Sequence, residues 1–167
     1  MANLIVEIIQ SQPDLDEVFY TTFDWKNEEI VTSLSDDRIL NMVSRVNKTA
    51  PPRTIFMAIG QPATFLAKYS IVSGKPKFLK HAKNLLLWLS TVDESMYSSP
   101  LSNKNMFAAA LVGTLTGDNI ILEMAYRIAD FLLDSQNGDG TFSGMPTGQG
   151  WESSMLLRQV DAIFRHD

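Results

Sequence analysis

The sequence contains no cysteine and only two histidines among its 167 residues. Without thiols, the chain cannot form a disulfide scaffold, use a thiolate nucleophile or bind zinc through a Cys-rich site. The two histidines, His81 and His166, have no partner at the spacing of zinc ligands or of a Ser-His-Asp triad. We therefore expect no metal and no cofactor, and any acid–base chemistry must use carboxylates, tyrosine or lysine.

Excess positive charge and long apolar runs are also absent. The formal net charge of −5 argues against a general polyanion binder, because nothing favours contact with phosphate backbones. The densest lysine cluster, within 75–83, lies along a predicted helix, and we interpret it as the solvated face of that helix. The N-terminus lacks the basic region and cleavage site of a signal peptide, and no apolar run is long enough to span a bilayer. We expect a cytoplasmic protein with no nucleic-acid or membrane partner.

Helical periodicity dominates the rest of the chain. Residues 76–92 and 118–136 carry apolar stripes opposite polar faces, which predicts two amphipathic helices with one wet side each. Residues 103–117 form a further predicted helix, in which Met106 to Val112 is apolar on every side, as is typical of a helix surrounded by protein. Two further helices are expected at 54–74, where Pro62 should break or restart the helix, and at 151–165.

The N-terminal part is also expected to be helical. Residues 26–46 are interpreted as one or two helices, and the first 22 residues as two short helices separated at Pro13. No run of residues alternates convincingly between apolar and polar, so no strand is expected.

A repeat of 43 residues relates two of these helices, because Ser73-Gly74 aligns with Thr116-Gly117. Each unit is a tight turn, a wet outer helix, a polar loop and a more buried inner helix. The predicted fold is all-α, built from antiparallel helical hairpins. A single domain, 1–167, would comprise an N-terminal helical extension (1–25) and three hairpins, at 26–73, 76–116 and 118–165.

The string "FLLDSQNGDGTFSG", followed by "GWESSMLL", resembles the repeating unit of α/α-toroid proteins. That unit is an outer helix, a Gln-x-x-Asp-Gly-x-aromatic loop and an inner helix. The superfamily includes terpene-cyclase-like repeats, protein prenyltransferase β-subunits and the sugar-epimerase and glycosidase α/α barrels. The resemblance covers about residues 54–165 and implies a half or incomplete α/α toroid.

Two features depart from that pattern. A full toroid has six hairpins, so three hairpins indicate a half-toroid, a fragment, or one protomer of a dimer that completes the ring. The Asp-x-Asp-Asp acid motif of the cyclases is missing, and the nearest string, Thr91-Val92-Asp93-Glu94, lacks the leading aspartate.

The glycine-rich loop within 135–146 does not match an ion site. Placing Gly140 at the sixth position of an EF-hand loop puts Pro146 at the twelfth, where a bidentate glutamate is required. No phosphate-loop string occurs either. We interpret the loop as a structural turn, in which Gly138 and Gly140 permit positive φ, Asp139 accepts hydrogen bonds from nearby amides and Phe142 packs onto the helices.

The candidate site lies in the loops that join outer to inner helices, at 93–105 and 138–152, together with 47–54. In a ring of hairpins these loops gather at one end. The leading acid–base candidates are Glu152 and Tyr97. At a helix start the dipole favours ionised Glu152, whereas burial beside Trp151 favours the neutral acid, and the sequence leaves that balance open. The full candidate sets are Glu152, Tyr97, Asp93 and Glu94 for catalysis, and Arg53, Asn103, Asn105, Phe142, Met145, Gln149 and Trp151 for substrate binding.

Two classes of function follow from these expectations. The first is an isomerase, cyclase or lyase that acts on a small molecule by carboxylate or tyrosine acid–base chemistry in an apolar pocket. Its substrate would be terpenoid or polyketide-like, or, as in the sugar-processing relatives, a carbohydrate. The second is a non-catalytic helical-repeat module for protein interactions. Either form is expected to associate as a homodimer through the open edge of the hairpin array.

Overall fold

A computed structural model describes residues 1–33, 44–49, 55–142 and 147–165. Within those ranges the chain is mostly helical and also forms four short strands. The helices are α1 (Ala2–Gln10), α2 (Met57–Ser73), α3 (Lys77–Leu89), α4 (Asn103–Thr116), α5 (Asn119–Asp134) and α6 (Thr147–Arg165). The strands are β1 (Val18–Tyr20), β2 (Phe23–Asp24), β3 (Glu29–Ile30) and β4 (Arg45–Asn47). No helix of the described residues is long and apolar enough to cross a membrane.

Helices α2 to α6 pack in two layers. The inner layer is the row α2, α4 and α6, in which α4 contacts both neighbours. The outer layer consists of α3, which packs on α2, and α5, which packs on α4. Among consecutive helices, the most extensive contacts therefore join an inner helix to the outer helix that follows it, α2 to α3 and α4 to α5. The hairpins predicted at 76–116 and 118–165 instead pair each outer helix with the inner helix that follows it. A tight turn holds α2 to α3 and α4 to α5, while longer connections separate α3 from α4 and α5 from α6.

Two glycines at the repeat spacing end the first two inner helices. Gly74 follows α2 with φ of 65°, and Gly117 follows α4 with φ of 64°. This left-handed conformation is costly for residues with a Cβ and is the usual way for a helix to stop before a sharp turn. The structure thereby confirms the Ser/Thr-Gly turns expected from the 43-residue repeat.

The central helix α4 is enclosed, as its composition predicts. Met106, Ala108, Ala109, Ala110 and Val112 are all completely buried. Small alanine side chains let α2 and α5 approach α4 closely, and this burial is the main favourable contribution to the stability of the two layers.

Helix α2 continues through Pro62, so the expected break there is wrong. Pro62 is the sixth residue of the helix and removes one backbone hydrogen bond near its start. Ile59, Ala63 and Leu66 flank it and are fully buried. The burial of this face outweighs the local loss.

The expectation of helices and no strands in the N-terminal part is only partly right. Helix α1 forms, but 18–20 is a strand, and antiparallel pairs join β1 to β4 and β2 to β3. The predicted helix at 26–46 is wrong for 26–33 and 44–46, and residues 34–43 lie outside the described ranges. The Asp24 carboxylate accepts hydrogen bonds from the backbone N–H groups of Lys26 and Asn27, which favours a tight hairpin turn over a helix.

The loop 135–142 is a structural turn, as interpreted from the sequence. The backbone of Gln136 pairs with that of Phe142, and the Asp139 carboxylate accepts a hydrogen bond from the Thr141 N–H at 3.0 Å. Gly140 has a φ of 83°, whereas Gly138 does not adopt the positive φ expected for it. Phe142 is 4% exposed and anchors the loop to the core.

Candidate functional site

A cleft of about 320 Å³ lies on the inner layer, between α2, α4 and α6. Each helix contributes one face to it, because the lining residues recur at the three- and four-residue steps of a helix. The lining consists of Gln61, Thr64, Phe65 and Lys68 from α2, Lys104 and Phe107 from α4, and Glu152, Leu156 and Gln159 from α6.

The lining combines an apolar floor with polar and charged walls. Phe107 is nearly buried, whereas Phe65 is more than a third exposed. Glutamine amides, a threonine hydroxyl and three charged groups surround these rings. Apolar surface with a few convergent polar groups is the usual composition of a small-molecule pocket.

Among the described residues, Glu152 is the only carboxylate that lines the cleft. Its Oε1 lies 3.5 Å from Lys104 Nζ. That distance defines an ion pair, but it exceeds the usual range of an N–H···O hydrogen bond. The pair is therefore loose, and Lys104 retains donor capacity for another acceptor.

Lys68 carries the second positive charge of the cleft. Its Nζ lies 5.0 Å from the centre of the Phe107 ring, within the range of a cation–π contact. Among the described residues, no carboxylate forms an ion pair with Lys68. The cleft thus holds two ammonium groups and one carboxylate.

Two buried amides join the three inner helices, at the starts of α2 and α4 and in the second turn of α6. Asn105 Oδ1 accepts a hydrogen bond from Gly60 N–H at 3.0 Å, which links α4 to the first turn of α2. Asn103 Nδ2 donates to Ser153 Oγ at 3.1 Å, which links α4 to α6. The three helices therefore begin at the same end of the layer, and Lys104 and Glu152 are next to the linked residues.

The structure places the predicted substrate-binding residues in several environments. Asn103 and Asn105 are buried and hold helices together. Phe142 packs beside Gly150, where an added Cβ would lie 3.3 Å from its ring. Trp151 is 67% exposed and does not line the cleft, although it precedes Glu152. Arg53, Met145 and the side chain of Gln149 lie outside what the structure describes.

The other predicted acid–base residues form a separate cluster that does not line the cleft. Glu94 forms an ion pair with Arg127, whose guanidinium carbon lies 3.6 Å from the centre of the Tyr97 ring. Burial raises the pKa of Tyr97, and the nearby Arg127 opposes that shift. Asp93 caps the turn at 94–96, and hydrogen bonds from Ser95 lower the pKa of its carboxyl group. Of the four predicted catalytic residues, Glu152 alone lines the cleft.

Sequence reasoning missed Lys68, Phe107 and the glutamines of the cleft. The sequence does contain one feature that could have indicated the cleft: Gln61, Thr64 and Lys68 form a polar stripe on a helix that is otherwise largely apolar. A polar stripe on an inner helix has to face water or a cavity, because burial without hydrogen-bond partners is costly.

A second groove, of about 520 Å³, lies between α5 and α6. Tyr126 of α5 stacks on Phe164 of α6 with 4.7 Å between the ring centres. Leu133, also on α5, is 54% exposed at this groove. In the described residues, α6 has no following outer helix of the kind that covers α2 and α4.

The described residues contain no group of three or more histidine and carboxylate side chains arranged to hold a metal ion. Comparison with protein-family models, curated proteins and solved structures finds no match to this chain.

Proposed function

We propose that the cleft between α2, α4 and α6 is the active site of a small-molecule enzyme of the isomerase, lyase or cyclase type. The observation that carries the proposal is the Glu152 carboxylate, which lines the same cleft as Phe65 and Phe107 and is paired loosely with Lys104. A carboxylate at such a site acts as a general base or acid when it lies within hydrogen-bond reach of the substrate proton.

The chemistry follows from the pair of charges. Glu152 removes a proton from the bound substrate, and the Lys104 ammonium stabilises the negative charge that develops on the substrate. When the proton returns at another atom, the product is an isomer; when a leaving group departs instead, the reaction is an elimination. Neither route needs a residue of the Tyr97 cluster.

The lining suits a substrate that combines polar groups with an apolar face better than a wholly apolar terpenoid. Six of the nine lining residues have polar or charged side chains. A volume of about 320 Å³ suits a molecule of monosaccharide size, since small-molecule pockets span roughly 300–1,000 Å³. Among the substrate classes considered from the sequence, a carbohydrate-like molecule is therefore preferred.

The architecture proposed with this function is half of an α/α toroid. Helices α2, α4 and α6 would line the cavity, and α3 and α5 would form the outer ring. This proposal is supported by the two layers, by the repeat-spaced glycines and by the position of the cleft on the inner layer.

The test is a thermal-shift screen of small polyols, sugars and sugar derivatives, followed by turnover measurements on every compound that binds. Glu152→Gln keeps the size of the side chain and removes the base, so turnover should fall by about 10²–10⁴-fold with binding largely retained. Tyr97→Phe is the control and should leave both unchanged. Full turnover by Glu152→Gln would contradict the proposal.

The second candidate function is self-association, which the groove between α5 and α6 supports. Exposed apolar residues such as Leu133 mark surfaces that take part in interactions. A second copy of the chain, covering Leu133 and Phe164, would form the homodimer expected from the sequence. Sedimentation equilibrium should then show a dimer that Leu133→Asp dissociates and that Ile120→Asp, on the same helix outside the groove, does not. A monomer at every concentration would exclude this candidate.

A further inference from the structure

We infer that the ligand of the cleft carries an anionic group on a small hydroxylated skeleton, and that Lys68 and Lys104 bind that group. This inference rests on the proposed function and specifies its substrate class. A sugar acid and a sugar phosphate share the required chemistry, and the experiment below distinguishes them.

The charge of the cleft differs from that of the whole chain. The whole chain has a formal charge of −5, yet the cleft lining has two lysines and a single glutamate. The cleft is therefore a local positive region on an acidic protein. A concave site with an excess of positive charge attracts anionic ligands.

Lys68 has no carboxylate partner among the described residues. Its contact with the Phe107 ring holds the ammonium over the cleft but uses none of its hydrogen bonds to an oxygen acceptor. A ligand carboxylate or phosphate would accept these bonds, and charge-assisted hydrogen bonds are about twice as strong as neutral ones.

Lys104 lies three residues before Phe107 on the same face of α4 and lines the cleft together with Lys68. Its 3.5 Å separation from Glu152 is long enough for the ammonium to bind a ligand anion while it remains near the carboxylate. An anion held there lies close to the proposed base.

Gln61, Thr64 and Gln159 offer amide and hydroxyl groups around the cleft, and these suit the hydroxyls of a ring. Phe65 and Leu156 offer apolar surface for its C–H face. A ligand with an anionic group, several hydroxyls and a C–H face would therefore have a contact for the lysines, for the amides and threonine, and for the apolar residues of the lining.

The experiment compares ligands that share one skeleton. D-Glucose, D-glucuronate and D-glucose 6-phosphate are titrated into the full chain, and binding is followed by calorimetry and by NMR shifts of the Leu156 methyl groups. Both anionic compounds, or one of them, should bind at least about tenfold more tightly than glucose, since a hydrogen bond to a charged group contributes more than a neutral one. A preference between the two anions identifies carboxylate or phosphate as the group recognised.

Lys68→Met is the diagnostic variant, because it keeps an unbranched side chain only one atom shorter and removes the charge. It should weaken binding of the anionic compounds by about tenfold or more and leave glucose binding unchanged. Lys80→Met is the matched control: Lys80 is exposed on α3, does not line the cleft and carries the same charge. Equal weakening by both variants would show an effect of net charge alone and would overturn the inference.

The remaining outcomes separate the inference from the proposed function. If glucose shifts the Leu156 signals as strongly as its anionic derivatives do, the cleft is a ligand site and the inference about charge is wrong. If none of the three compounds shifts those signals, both the inference and the carbohydrate-like assignment fail. If the anions bind and Glu152→Gln has no effect on their turnover, the inference stands and the catalytic proposal fails.

Discussion

Gly60 provides the most direct test of the packing between the inner helices. A Cβ built on this residue would contact Asn105 Oδ1 and would lie 2.9 Å from both the backbone N and the Cα of Asn105. A side chain can rotate away from such a contact, but the backbone of α4 can do so only if the helix moves. Gly60→Ala should therefore separate α2 from α4 at their starts.

The expected cost has three parts. Overpacking a well-packed core costs about 1–3 kcal/mol. Displacement of Asn105 breaks its hydrogen bond with Gly60 N–H, and buried groups left unpaired cost roughly 1–3 kcal/mol more. The better helix propensity of alanine offsets about 0.5–1 kcal/mol. Together these give an expected net loss of about 1–5 kcal/mol in the free energy of unfolding.

Urea unfolding followed by far-UV circular dichroism measures this loss, and Gly113→Ala is the matched control. Gly113 also lies in a helix, and its added Cβ would contact the Leu122 side chain at 2.7 Å and 2.9 Å. Because part of that side chain can change rotamer, the cost there should be smaller, about 1–2 kcal/mol. If Gly60→Ala costs less than Gly113→Ala, the argument from the close helix starts is wrong.

Three further predictions concern the turns and the ion pair of the outer layer. Gly117→Ala should lower the free energy of unfolding by about 1–2 kcal/mol through backbone strain alone, because φ is 64° and no atom lies within 4 Å of the added Cβ. In the same urea assay, Gly117→Asn should lose less, since asparagine tolerates this conformation better than alanine. Phe142→Ala should cost about 3 kcal/mol, since the ring is buried, and a loss below 1 kcal/mol would show that the loop does not need this anchor. Asp118→Asn keeps the helix cap but removes the ion pair with Lys83, which spans 2.8 Å, and should cost about 0.5–1 kcal/mol at pH 7. The hydrogen bond from Lys83 lowers the pKa of Asp118, so its contribution is present above about pH 4 and is lost as the pH falls through the folded-state pKa; a difference between wild type and variant that stays constant down to pH 2 would contradict the assignment.

The helices of the two layers could be predicted because their signals are local. Apolar residues at three- and four-residue steps define α3 and α5, and an apolar composition on all sides defines α4. Gly74 and Gly117 mark helix ends by a requirement of their own backbone. These features need no knowledge of distant residues.

The β1–β4 pair and most of the cleft could not be predicted, because they depend on residues far apart in sequence. Strand β1 pairs with β4, which is more than twenty residues away along the chain. Lys68 of α2 contacts Phe107 of α4, and no motif around either residue in the sequence indicates this contact. Glu152 was accessible from sequence because it belongs to the predicted C-terminal helix, which is local information. Helix α6 begins at Thr147, however, so the predicted start at 151 is wrong and Glu152 is the sixth residue of the helix. Tyr97 was assigned to the same kind of loop and lies in a separate cluster with Arg127.

The buried amides and the cleft depend on each other. Asn103 precedes Lys104, and Ser153 follows Glu152, so the hydrogen bond that joins α4 to α6 also fixes the distance between the two charged groups. A hydrogen bond buried between helices is stronger and less variable than one in water, because its alternatives leave polar groups unpaired. The charged pair itself is partly exposed and loose, so it cannot hold the helices in place. The geometry of the cleft is therefore set by neutral groups beneath it, and the charged groups at its surface remain available to a ligand.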